Sequence, residues 1–297
     1  MKGINPFMRS YFGTHNHTMY SNLRLLDCIN RPEDLINRAR ELGLSGIAIT
    51  DHECIASHVI VNKIAKKFHE AGEEFVIGLG NEIYLVETRE PGQKYYHFIL
   101  IAKDATGHQM IRELSSTAWF YSYSDRGMER VPTLKSELQA VIEKYGKGHL
   151  IATSACMGGE LSTNALALAR ARELGDQRTA AQHYNAIVDF MKFCLDMFGE
   201  DFYVECAPST NKEQILVNKT LFNIAGAFFV KMVVGTDAHY LSAGDRPVHK
   251  AYLNAKDGER EVDDFYEFAY LMDSDEVYSL LMPSFDNSDI INEILDN

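Results

Sequence analysis

RPEDLINRARELGLSGIAITDH, residues 31–52, decides the fold class. Pro32 stands where a first-turn proline is tolerated, Leu35, Ile36, Ala39 and Leu42 recur on one helical face, and Gly43 ends the pattern. Gly46 to Thr50 then reads GIAIT, a short apolar run of strand length. Asp51 and His52 follow in the turn beyond it. Helix, strand and polar turn in succession are what an α/β protein looks like in sequence.

Working outward, six more strand candidates share this character: Arg9 to Thr14, Phe75 to Leu85, Tyr95 to Ala102, His149 to Thr153, Asp201 to Cys206 and Met232 to Thr236. Five of the seven precede a turn and a helix-like segment, and helical patterns are expected around 56–71, 107–116, 134–145, 179–198 and 211–227. Phe120 to Arg130 has no period and reads as a loop, a lid or substrate arm. From about Ala243 the pattern weakens, and the tail from Asp257 is acidic and aromatic. At 297 residues the chain suits one α/β barrel with a C-terminal appendage better than two domains: 1–245 for the barrel and 246–297 for an extension packed on it.

Composition narrows the function. With 46% hydrophobic and 24% charged residues the chain can bury a large core, which argues against disorder. A net charge of -13 argues against a broad basic face for duplex DNA. Five cysteines without a CxxC argue against a disulfide framework or a zinc ribbon, so reduced thiols are expected. The sequence offers neither a membrane span nor a signal-peptide stretch, so a cytoplasmic location is expected.

Metal-ligating residue types gather at the carboxyl ends of the strand candidates, the edge where parallel barrels carry their active sites. His15 and His17 are two apart on an extended segment, so both imidazoles face one side. His52 follows the second strand, Glu82 lies in the third, and His97 opens the fourth. Cys156 sits in the small-residue turn after the fifth, Asp237 and His239 follow the seventh, and Asp27 hangs on the loop behind the first pair. These nine groups exceed what one tetrahedral zinc needs and suit two or three divalent ions, with zinc, manganese or iron as candidates. Such ions polarise a phosphoryl group, activate water and stabilise the leaving oxygen. Loaded with three ions, the pocket would carry about +2, so an acidic protein still offers an anion-binding hole.

At these residues the sequence resembles the polymerase and histidinol phosphatase (PHP) family of metal-dependent phosphoesterases. THNHTMYSNLRLLD, ELGLSGIAITDH, VIGLGNE, YHFILIAKDATGHQMIRELSS, TSACMGGEL and VVGTDAHYL follow the order and approximate spacing of the PHP domain of bacterial DNA polymerase III alpha subunits. The resemblance covers about Gly13 to Leu281 and implies a distorted (β/α)7 TIM-like barrel. It also implies that the nine residues named above are the ligands, with His15, His17, His52, Asp237 and His239 at the catalytic heart. Asp27 follows an insertion around Asn22 to Arg24 relative to the commoner family spacing. The chain ends where a polymerase palm would begin, so no nucleotide polymerisation is expected.

Asp51 is expected to orient its neighbouring ligand, and Glu205 to assist the site or stand in solvent. Arg24, Lys103, Arg126 and Arg246 are candidate substrate contacts. Trp119, Phe120, Tyr121 and Tyr123 offer stacking to bases of a single strand, although packing of a helix end is the simpler use. By family analogy the activity is a 3′-5′ exonuclease on single-stranded DNA in the company of replication proteins. A small-molecule phosphatase and a non-catalytic replication module are the alternatives.

Overall fold

The computed structural model describes residues 10–90, 92–125, 128–255 and 266–297. Its first half runs β1 (Phe12–Gly13), α1 (Pro32–Glu41), β2 (Gly46–Ile49), α2 (His58–Glu70), β3 (Val76–Val86), β4 (Tyr96–Ala102) and α3 (Ala105–Phe120). Next come three short strands, β5 (Tyr123–Asp125), β6 (Met128–Arg130) and β7 (Pro132–Leu134), and then α4 (Lys135–Tyr145). The chain continues through β8 (Leu150–Thr153), α5 (Glu160–Glu173), α6 (Gln177–Phe198), β9 (Phe202–Cys206), α7 (Lys212–Phe228) and β10 (Met232–Val234). Three helices follow: α8 (Arg246–Leu253), α9 (Ser274–Phe285) and α10 (Ser288–Asp296).

The main sheet is ordered β1-β2-β3-β4-β8-β9-β10, with β7 paired to the far end of β3. Its edges meet just past the last strand residues, where the His17 amide donates to the Ala238 carbonyl (3.1 Å) and the Ala238 amide to that of His15 (3.4 Å). The seven strands thus form a nearly closed α/β barrel. Pairing is parallel except around β4, which runs antiparallel to both β3 and β8. No helix separates β3 from β4, so the chain simply doubles back.

Two apolar cores result. A small one fills the barrel, where Ala48, Ile99, Ile101 and Ala155 pack with Phe12 and Ile151. The larger one lies between strands and surrounding helices, where Phe98 of β4 meets Phe190 and Phe198 of α6 and Phe202 of β9. The C-terminal segment is tied to the barrel by the Tyr11 hydroxyl, which donates to the Met272 carbonyl (2.7 Å), and by the His239 amide, which donates to the Ala269 carbonyl (2.8 Å).

The expected strands match these elements to within a few residues at each end; Arg9, the first residue of the earliest, lies outside the described residues. Two expectations need correction. Phe120 to Arg130 is no simple loop: Tyr123–Asp125 and Met128–Arg130 form an antiparallel hairpin, too short to show a period in sequence. The weak pattern after Ala243 conceals α8, α9 and α10. Asp257, where the acidic tail begins, is outside the described residues. All five cysteines are free and buried. Among the described residues no helix is long and apolar enough to cross a membrane.

Candidate metal centre

The nine side chains singled out in the sequence meet at one end of the barrel. His15 and His17 leave β1, His52 leaves β2, Glu82 projects from β3, and Asp237 and His239 follow β10. His97 is the second residue of β4, and only the reversal of that strand brings its beginning to the rim where the other strands end. Cys156 lies in the turn between β8 and α5.

Distances between the ligating atoms are short. His15 Nε2 and His17 Nε2 are 3.1 Å apart, with Asp237 Oδ1 at 3.2 and 3.0 Å from them. His52 Nε2 is 3.4 Å from His239 Nε2, and Asp27 Oδ2 lies 3.3 and 3.7 Å from the same two nitrogens. Glu82 sits in the middle: its Oε1 is 2.6 Å from His97 Nδ1, its Oε2 is 3.5 Å from His17 Nε2, and Oε2 also touches His52 Nδ1. Cys156 Sγ is 3.5 Å from His97 Nδ1. Three triads, His17–His52–His239, His15–His17–Asp237 and Glu82–His97–Cys156, each gather their ligating atoms closely enough to hold one ion.

The surroundings orient these groups for cations. His15 Nδ1 faces Glu205 Oε1 at 2.7 Å, His17 Nδ1 faces Ser21 Oγ at 3.2 Å, and His239 Nδ1 faces the Asp237 carbonyl at 2.7 Å. With Nδ1–H donating outward, each Nε2 lone pair is left to face the pocket. Two such lone pairs at 3.1 Å repel unless a proton or cation lies between them. Both carboxylate oxygens of Asp27 and of Glu82, together with Asp237 Oδ1, are buried, and the groups beside them are imidazole nitrogens of the same cluster. Buried carboxylates need positive charge beside them, and imidazolium protons or divalent cations supply it. The residues therefore fit metal ions.

Protonation without ions shows the same demand. Burial would lower His15, but the carboxylates of Glu205 and Asp237 outweigh it and hold the imidazole up to about 10. Burial and the neighbouring His52 and His239 press His17 down to about 3. Burial raises the Cys156 thiol well above its usual range, with Asp237 and Glu82 adding to the effect. Bound cations would reverse that effect and favour thiolate.

Backbone strain concentrates here. Glu53, Ala155 and Asp237 adopt left-handed φ values of 50°, 57° and 47°, and all three stand in the turns that deliver ligands. A Cβ on Gly235 would lie 2.0 Å from Glu205 Oε1, and one on Gly158 would lie 2.8 Å from the His97 ring. Glycine at these positions leaves room for the imidazole and for the carboxylate that steers one.

Ser21 escaped the sequence reading because an isolated serine carries no motif. Its Oγ accepts from the His52 amide (3.1 Å) and donates to Asp51 Oδ1 (3.0 Å). Asp51 is thus corrected from a partner of its neighbouring imidazole to the anchor of a loop, gripping the Thr18 amide, Ser21 and Ser57. Glu205 is buried and tied to both Thr153 and His15, not solvent-exposed. His249 of α8 is fully buried and contacts the Asp27 carbonyl.

Of the candidate substrate contacts, Arg24 lines the cleft of about 320 Å³ that opens above the cluster. Lys103 does not: it follows the reversed β4, lines a cavity at the opposite rim and pairs with Asp201 at 2.6 Å. Arg246 begins α8 against His249, and Arg126 lies outside the described residues. Trp119 donates to the Glu53 carbonyl (2.7 Å), and Phe120 and Tyr121 are exposed at the end of α3; none of the three lines the cleft. Arg130 and Tyr95 do line it, unforeseen in the sequence.

A PHP domain family model matches residues 13–209. The chain belongs to the PHP domain family. Among relatives of this PHP domain is a probable DNA polymerase, YorL, of Bacillus subtilis, 39% identical over an aligned length of 297 that covers 96% of this chain and 22% of that protein. DNA polymerase III subunit alpha of Borreliella burgdorferi is 30% identical over 80% of this chain and 19% of its own length, and that of Aquifex aeolicus is 30% identical over 82% and 20%. The chain therefore spans about a fifth of the length of the curated relatives it matches. Among solved structures, a protein of Bifidobacterium adolescentis, provisionally described as a metal-dependent phosphoesterase, aligns over 95% of this chain and 99% of its own with 17% identity and a TM-score of 0.46, too distant to carry a function across.

Proposed function

We propose that this PHP domain is a metal-dependent phosphoesterase whose nine clustered side chains hold two or three divalent cations. The observation that carries the reading is the buried set of carboxylate oxygens packed among inward-facing imidazole nitrogens and a thiol. A fold held together by packing alone has no use for them. The three triads suit up to three ions. Thiolate and imidazole favour zinc or iron, while the carboxylates admit manganese. Divalent ions in such a pocket polarise a phosphoryl group, activate water and stabilise the leaving oxygen.

The chain's own groups prepare this chemistry. Glu205, Ser21 and the Asp237 carbonyl fix the tautomers of His15, His17 and His239, so the ligating nitrogens need not reorganise. Tyr84 stacks on His97 at 4.5 Å and holds its plane. The Arg24 guanidinium, paired with Glu53, donates to the Tyr84 hydroxyl and so helps to fix the ring that stacks on His97. Among relatives named as DNA polymerases, a DNA phosphodiester is the substrate that fits best, and we assign the 3′ end of a single strand, removed nucleotide by nucleotide in the cytoplasm alongside replication proteins.

The test supplies the protein with manganese or zinc and a single-stranded oligonucleotide labelled at its 5′ end. Stepwise shortening from the 3′ end is expected, abolished by chelator and by Asp237→Asn. Hydrolysis of nitrophenyl phosphate alone would point to a small-molecule phosphatase. A metal-loaded protein inert on both would leave a docking module in its place.

A further inference from the structure

Resting on the phosphoesterase reading, we propose that Arg130, stacked on Tyr95, binds the phosphate one linkage away from the scissile one, so that the cleft selects a polynucleotide over a phosphomonoester. Two arginines line the cleft among the described residues, and they differ in what they have left to give. Arg24 is buried in the wall, its Nε 2.5 Å from Glu53 Oε2 and its Nη1 donating to the Tyr84 hydroxyl at 2.8 Å. Its charge is paired with a carboxylate at contact distance. Among the described residues the ion partner of Arg130 is a loose one, Asp125 Oδ2 at 4.0 Å from Nε.

Arg130 is also held ready. Its guanidinium carbon lies 4.8 Å from the centre of the Tyr95 ring, and a stacked guanidinium keeps its in-plane donors for a ligand. The β5–β6 hairpin sets Tyr123 opposite Arg130, and the Tyr123 hydroxyl bonds that of Tyr95, so the three side chains brace one wall of the cleft. In a protein of net charge -13 a preorganised cation at this mouth stands out against its background. A phosphomonoester is fully engaged by the metal cluster and leaves Arg130 idle. A strand brings a second phosphate with it.

The experiment uses the full chain and a fluorescent, hydrolysis-resistant phosphorothioate oligothymidylate, with affinity measured across a salt series. Arg130→Met should weaken binding about tenfold and reduce the magnitude of the salt slope by about 0.7, the share of one phosphate contact on a single strand. Arg130→Lys should retain the slope. In the activity arm, Arg130→Met should raise KM for an oligonucleotide and leave nitrophenyl phosphate hydrolysis within about twofold. An unchanged slope, equal losses on both substrates, or no oligonucleotide binding by the wild type would overturn the proposal. A wild type that binds the oligonucleotide but hydrolyses neither substrate would remove the phosphoesterase reading while the salt slope still judged Arg130.

Discussion

At the residue scale the centre depends on groups that never face a ligand. Glu205 receives His15 at 2.7 Å and Thr153 at 2.7 Å, and it occupies the space that any side chain at position 235 would need. Glu205→Gln is therefore expected to weaken metal affinity by about tenfold to a hundredfold, the usual cost of losing an outer carboxylate partner. Gly235→Ala should do at least as much by a different route, since its methyl group drives the carboxylate away from His15. Competition with a chromogenic chelator measures both; a Gly235→Ala protein with native affinity would show that the carboxylate can shift without consequence. The nine candidate ligands were legible in the sequence because eight stand in or near a recognisable strand and Asp27 falls within a family motif. Their supports were not, because Ser21 and Gly235 acquire meaning only from contacts with residues distant in the chain.

At the element scale, the direction of β4 matters most. A helix between β3 and β4 would have kept the sheet parallel and sent His97 to the opposite rim. Without it, His97 and Lys103 exchange ends relative to a uniformly parallel barrel, which explains why one joins the centre and the other pairs with Asp201. On the other side of β3, His58 at the start of α2 donates from Nε2 to the Gly80 carbonyl (2.8 Å) and accepts at Nδ1 from His108 (3.1 Å). Both ring nitrogens are thus committed to a neutral imidazole, and burial, aided by His108, lowers its pKa to about 4. Because the unfolded chain takes up this proton first, stability from His58 is present above about 6.5 and is lost as pH falls towards 4, by up to about 3 kcal/mol. Urea unfolding of the wild type and of His58→Gln across that range should converge as pH falls. Parallel curves would mean that His58 does not titrate with folding.

At the scale of the whole molecule, the centre joins segments that the barrel alone leaves as separate ends: the loops after β1, β2, β8 and β10, and the strands β3 and β4. Cations bound there act as cross-links specific to the folded state. At a free metal concentration one hundredfold above Kd the expected gain is about 2.7 kcal/mol for one site, so treatment with chelator should lower the melting temperature and added zinc or manganese should restore it. A melting curve indifferent to both would argue that the pocket stays empty in solution. Elsewhere on the molecule, α8 reaches back to the centre through His249 and the Asp27 carbonyl, so residues beyond 245 help to shape the pocket.

The sequence by itself determined the α/β class, the strand positions and the nine metal-binding candidates, because strands, turns and ligand types are local properties written in consecutive residues. The hairpin bearing Arg130, the helices after Ala243 and the outer supports were not readable from it: short strands carry no period, and a lone serine or glycine carries no motif. Only the tertiary structure decided that β4 runs backwards, which cations face the cleft and which carboxylates lie buried among imidazoles. Those properties arise from which distant segments are packed together, and no stretch of neighbouring residues contains them.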